Sequence, residues 1–253
     1  MTSISDCDYS ICDCGNVRQL TYLLIYRNLK SLTLPTTQLK MTQKTFWVNP
    51  YQTFHKTIVA SVDGNDITLQ STIFFAFSGG QESDHGTIGG KQVISARKEG
   101  LEIVYTLAEN HGLTVGKTVD IEIDWTRRYR LMRLHFAAEL ILELFYKSLD
   151  GVDKVGAHIA ETKARIDFSW PESIAPMLPE FTLRANQIIE ADLEIKCAFD
   201  DVVTERRYWE IDGFSRVLCG GTHVKRTGEV GQIRLKRNNI GRGKERVEIF
   251  LAS

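Results

Sequence analysis

Cys219-Gly220-Gly221-Thr222-His223 sets a thiol and an imidazole four residues apart around two glycines. Both side chains are ligand types that suit zinc. The glycines permit the tight backbone turn that aims them at one point. Two ligands do not complete a site, so the fold must carry a second pair from a distant segment to this turn. His135 and Glu139 are the best candidates. They stand at i and i+4, one turn apart on one face of a helix. Glu139 leaves two arrangements open. As a fourth ligand, the one we prefer, it closes a His, Glu, Cys, His site. Alternatively His135, Cys219 and His223 bind the ion, water takes the fourth place, and Glu139 holds or deprotonates that water. Four closed ligands are the structural pattern, and three ligands plus water the catalytic one.

The rest of the chain must supply a scaffold for that convergence. At 253 residues it is long enough for one large domain or two small ones. Apolar content of 43% and charged content of 25% are those of an ordinary globular protein. A net charge of −1 gives no overall nucleic-acid footprint. No apolar run is long enough for a membrane helix, and the first residues lack a secretory signal. Five cysteines, an odd number, do not make a disulfide framework in a chain of this length. A reducing cytoplasm is the expected setting.

Residues 1–40 are rich in Ser, Thr, Asn and Cys and hold no period, so Met41 is expected to be the natural start, with a disordered or non-native extension before it. Cys7, Cys12 and Cys14 lie in that extension and lack a matching second half for a metal site. Residues 41–125 read as a β-rich domain, a small barrel-like array of hairpins. Residues 56–61 and 67–77 flank the turn Asp63-Gly64-Asn65, and residues 92–97 and 101–107 flank Lys98-Glu99-Gly100. Between the hairpins, residues 77–90 are too glycine-rich for regular structure and read as a shaped loop. Residues 126–253 read as an α+β domain with a long helix packed on an antiparallel sheet. Residues 127–149 read as that helix, with Leu134, Ala138, Ile141 and Phe145 as its apolar stripe and Leu131, Leu142 and Leu149 widening it. A second helix is expected over residues 182–195. Strands are expected within 158–170 and over 196–199, 215–218, 231–236 and 246–251.

These motifs resemble a known family in their order. Cys219 to His223, with Thr227-Gly228 after it, is similar to the second additional domain of alanyl- and threonyl-tRNA synthetases. Residues 240–249 resemble that domain's closing strand, and Arg165-Ile166-Asp167-Phe168 also matches. Gly79-Gly80-Gln81-Glu82-Ser83-Asp84-His85-Gly86 looks like the family's glycine-rich loop. With no aminoacylation domain beside it, the chain resembles the free-standing AlaX proteins of the medium-length class. The resemblance implies a trans-editing hydrolase that deacylates mischarged tRNA(Ala), carrying serine or glycine, with one zinc ion per chain held by His135, Glu139, Cys219 and His223. Three departures bear on the substrate, the first being Ser78 in the loop, where a third glycine is common. Glu139 stands where most members have a second histidine, and Leu218 where alanyl-tRNA synthetases often have Glu.

Under that reading Glu139, Gln81 and Thr222 are the catalytic candidates, with Gln81 and Thr222 placed to bond a serine hydroxyl. A site built to bond a hydroxyl rejects alanine strongly, because its own polar groups would go unpaired. Gly79, Gly80, Arg127, Lys225, Arg226 and Lys244 are expected to meet the tRNA. Residues 219–253 carry eight Lys or Arg against three acids, a local excess that fits phosphate. The competing readings are a non-catalytic tRNA-binding or synthetase-associated module with structural zinc, and a hydrolase of another small ester or amide.

Overall fold

Alternation of apolar and polar residues gives fifteen strands among the described residues, and one long apolar segment becomes the helix at their centre. The structure, a computed structural model, describes residues 41–252. The readings made for residues 1–40, including the three cysteines, lie outside the described residues. In chain order the elements are β1 (Gln43–Lys44), β2 (Phe54–Asp63), β3 (Asp66–Leu69), β4 (Ser71–Thr72), β5 (Gly86–Ile88), β6 (Lys91–Glu99), β7 (Glu102–Leu107) and β8 (Thr118–Ile123). Then follow α1 (Trp125–Ser148), β9 (Asp153–Ile159), β10 (Ala164–Ser169), α2 (Leu178–Glu190), β11 (Lys196–Asp201), β12 (Arg206–Ile211), β13 (Ser215–Leu218), β14 (Ile233–Asn239) and β15 (Lys244–Leu251). The class is α+β, with mostly antiparallel sheets and few helices.

In the first half, β2, β3, β7, β6, β5 and β8 pair in that order, and β8 returns to β2. Their inward residues, among them Ile67, Leu69, Tyr105, Leu107 and Ile121, form one apolar cluster with Phe46, Phe74 and, from β11, Phe199. In the second half, β14, β15, β10 and β9 form one antiparallel sheet and β11, β12 and β13 another.

Helix α1 starts where the Asp124 carboxylate caps it, accepting from the Arg127 backbone N–H at 3.1 Å. It then runs between the two sheets of the second half. Phe145 stacks on Phe168 of β10, with ring centroids 4.6 Å apart, and Phe136 meets Trp209 of β12 edge-on at 5.2 Å. Clamped on both sides, α1 buries residues around its whole girth, Met132, Phe136, Ala137, Leu140 and Leu144 included. That is broader than the single stripe read from the sequence.

Three other expectations change. Residues 77–90, read as a loop without regular structure, hold β5 at Gly86–Ile88, which pairs with β6 and β8. Helix α2 begins four residues before residue 182 and stops five before residue 195. Pro179 suits the first helical turn, where its missing N–H costs nothing. Asp192, at φ 46°, turns the chain out of the helix. Strand β12 was not read from the sequence. It buries Arg207, Tyr208 and Trp209 in succession, then Ile211, so its burial does not alternate, and an arginine in that series breaks the apolar pattern. Among the described residues, no helix is long and apolar enough to cross a membrane.

Candidate metal centre

The pairing of β12 with β13 ends at a hydrogen bond from the Cys219 N–H to the Arg207 carbonyl, 2.9 Å. Beyond it the chain turns toward α1. Trp47 steadies the turn by donating its indole N–H to the Gly220 carbonyl at 2.8 Å. Gly221 lies directly on His135, and a Cβ there would fall 1.9 Å from His135 Cε1. This close approach carries Cys219 and His223 to the helix. Cys219 Sγ is 3.5 Å from His135 Nε2 and 3.4 Å from His223 Nε2. The ligand atoms of His135, Cys219 and His223 all lie within 4.8 Å of one another, a group that could hold a metal ion. Glu139 is not one of that group, yet it borders it. Its Oε1 is 3.4 Å from His135 Nε2 and 3.7 Å from Cys219 Sγ. Its Oε2 accepts the Trp209 indole N–H at 3.1 Å.

The glycine-rich loop reaches the same place from the other side. Gly80 has φ 88°, and a Cβ on it would meet the Ala157 carbonyl at 2.6 Å. The loop can therefore lie along β9, where Ile159 N–H donates to the Gly80 carbonyl at 2.8 Å and Glu82 N–H to the Ile159 carbonyl at 3.0 Å. Gly79, at φ 60°, makes the preceding bend. Between them and β9, Gln81 is driven fully inside. Its Oε1 lies 2.7 Å from His135 Nδ1 and accepts the Thr222 backbone N–H at 3.1 Å. Its Nε2 donates to Thr222 Oγ1 at 2.8 Å. One amide thus joins the loop, the helix and the turn.

The cluster is electron-rich. Burial disfavours charge on His135, but the Cys219 sulfur and then the Glu139 carboxylate outweigh it and raise His135 to about 10. Burial would raise Glu139, but the bond from His135, reinforced by the charge of His135, holds it at about 2. Burial, aided by repulsion from His135, keeps His223 well below its usual range and neutral. A proton on His135 therefore fills the place that a cation would take. Metal binding must displace that proton. The apparent metal affinity is expected to fall by about tenfold for each pH unit below the His135 value of about 10. Chelator competition between pH 6 and 9 checks the slope, and an affinity flat across that range would contradict it.

The other residues singled out in the sequence fall in different places. Arg127 turns inward, where its guanidinium pairs with Glu82 at 2.7 Å and Glu161 at 2.9 Å and its Nε donates to the Ser83 carbonyl. These contacts brace the loop against α1. Lys225 is exposed beside the turn, its Nζ 4.9 Å from the centre of the Tyr51 ring. Arg226 is half exposed and paired with Asp192 at 2.7 Å. Lys244 is exposed at the start of β15, in the four-stranded sheet rather than at the turn. A pocket of about 110 Å3 opens beside the turn, lined by Phe46, Trp47, Gly221, Thr222, His223 and Lys225, among others.

Two neighbours of the centre were not found from the sequence. Trp209 bonds Glu139, and Cys197 Sγ lies 3.5 Å from His223 Nδ1. Burial pushes the Cys197 thiol up to about 11. Neither residue stands at a telling spacing from the ligands, and strand pairing alone brings them there.

A family profile, the threonyl and alanyl tRNA synthetase second additional domain, matches residues 207–248. An alanyl-tRNA editing protein AlaX-M of Pyrococcus horikoshii is 34% identical over 217 residues, covering 84% of this chain and 99% of the relative. An AlaX-M protein of Saccharolobus solfataricus is 31% identical over 233 residues, covering 82% of this chain and 98% of its own length. An alanine–tRNA ligase of Methanococcus aeolicus is 31% identical over 229 residues, and the chain spans 25% of that ligase.

Proposed function

The chain belongs to the AlaX-M family of alanyl-tRNA editing proteins, and on that premise we propose that it hydrolyses the ester of mischarged tRNA(Ala) at a zinc centre. The observation that carries this reading is the convergence of His135, Glu139, Cys219 and His223. A tetrahedral ion about 2.3 Å from sulfur and about 2.0–2.1 Å from nitrogen and oxygen separates S from N by ~3.5 Å and N from O by ~3.4 Å. The S–N distances of 3.5 and 3.4 Å and the N–O distance of 3.4 Å fit those edges. The Cys219 to Glu139 distance of 3.7 Å fits as well. A base acting through water would stand farther out, and on this reading Glu139 is the fourth ligand, closing toward a group that His135, Cys219 and His223 already form.

Zinc held there would supply Lewis-acid polarisation of an ester carbonyl, for which a coordination place beyond the four side chains must open. The chain's own residues do the rest. Gln81 takes the Nδ1 proton of His135 on its Oε1, which leaves Nε2 bare toward the ion. The Thr222 hydroxyl accepts from Gln81 and keeps its own proton to give. Thr222 is among the residues that line the pocket beside the turn, and on this reading its hydroxyl donates to a serine hydroxyl. A pocket of this size admits a small aminoacyl group. Selectivity against alanine then follows from the polar groups an alanyl ester would leave unpaired. Lys225, beside the metal turn and exposed, offers a cation to the tRNA backbone.

Deacylation of Ser-, Gly- and Ala-charged tRNA(Ala) by the zinc-loaded full chain tests the reading. Serine or glycine is expected to be released faster than alanine, and a chelator is expected to stop it. If no charged tRNA is turned over, the chain is a binding module with a structural metal.

A further inference from the structure

We infer that Cys197 and Trp209, a cross-strand pair in the three-stranded sheet, are positioning residues that orient two of the metal-centre side chains, His223 and Glu139. The inference rests on the zinc centre proposed above. Cys197 of β11 stands opposite Trp209 of β12 in the ladder. Each reaches one side chain of the centre, Cys197 Sγ at 3.5 Å from His223 Nδ1 and Trp209 Nε1 at 3.1 Å from Glu139 Oε2.

A histidine that offers Nε2 to a metal carries its proton on Nδ1, and that proton needs an acceptor when the ring is buried. His223 is buried between His135 and Phe136, with ring centroids at 4.9 and 5.8 Å. Cys197 Sγ is the partner the fold provides for its Nδ1. The two histidines are therefore held unequally. His135 has a strong acceptor, the Gln81 amide oxygen at 2.7 Å. His223 has a sulfur, a weak acceptor. Glu139 is held in the same manner, since the Trp209 indole occupies Oε2 and leaves Oε1 facing Cys219 and His135. A single strand pair thus sets the direction of two side chains that come from different segments, one from α1 and one from the turn.

The test uses the full chain, zinc affinity by chelator competition, and the visible spectrum of the cobalt(II)-substituted protein. Cys197→Ala is expected to lower affinity by about 10–100-fold and to alter the cobalt spectrum. Cys197→Ser, whose hydroxyl oxygen can accept the same proton, is expected to restore most of both. Trp209→Phe, which keeps the ring and removes the N–H, is expected to lower affinity in the same range. Cys197→Ala with wild-type affinity and spectrum overturns the inference, as does a serine variant no better than alanine in a folded protein. If the alanine variant does not fold, the serine and Trp209→Phe variants decide, and wild-type spectrum and affinity in Trp209→Phe overturn the pair. A wild-type protein that takes up no metal overturns both this inference and the zinc centre, whereas unaffected variants of a metal-binding protein overturn this inference alone.

Discussion

Gly221→Ala is expected to abolish stoichiometric metal binding and to cut deacylation by at least about 100-fold, while Gly220→Ala leaves both near wild type. The contrast comes from two adjacent residues with opposite surroundings. A Cβ on Gly221 would sit 1.9 Å from His135 Cε1, 2.4 Å from His135 Nδ1 and 2.9 Å from Gln81 Oε1. His135 cannot yield, because it is buried and tied to Gln81. Either the ring rotates out of the centre or the turn lifts Cys219 and His223 away from it. A Cβ on Gly220 meets nothing within 4 Å. Metal analysis of the two purified variants reads the difference. A Gly221→Ala protein that keeps one ion per chain would mean that the turn does not pack as described.

Arg128→Leu is expected to destabilise the protein by about 3–5 kcal/mol, because it strands a buried carboxylate. Arg128 and Asp84 both have side chains with no exposed surface, and they are bonded to each other through two guanidinium nitrogens. Arg128 also donates to the carbonyls of Pro50 and Ile73, and Asp84 accepts the Phe75 backbone N–H at 2.7 Å. The pair joins α1 to the loop that carries Gln81, so the loss reaches the metal centre as well as the fold. Against a typical total of about 5–15 kcal/mol, such a loss is large. Urea unfolding monitored by tryptophan fluorescence measures it. A midpoint that shifts by less than the equivalent of about 1 kcal/mol would show that water reaches and satisfies Asp84.

The parts of this structure that could be read in the sequence share one property: the signal is local. The turns at Asp63-Gly64-Asn65 and Lys98-Glu99-Gly100 join β2 to β3 and β6 to β7 because residue type alone marks them. His135 with Glu139 and Cys219 with His223 could be paired because each pair has its own spacing, and Cys219 joins the two pairs at 3.5 Å from His135 and 3.7 Å from Glu139. What could not be read depends on tertiary contact. Gln81 stood out in its loop, but its grip on His135 exists only because Gly80 lets the loop lie along β9. Arg127 looked like a free cation on a helix, and Glu82 with Glu161 engages it. Cys197 is one thiol among five in the sequence, and its place beside His223 follows from the pairing of β11 with β12.

The central claim is that four side chains from α1 and the turn after β13 hold one metal ion. X-ray absorption at the zinc edge, on protein with its zinc content measured, tests it most directly. The account predicts one ion per chain, with one sulfur at about 2.3 Å and three nitrogen or oxygen ligands at about 2.0–2.2 Å, and loss of the ion in Cys219→Ala. Stoichiometric zinc retained in Cys219→Ala, or a first shell without sulfur, would contradict it.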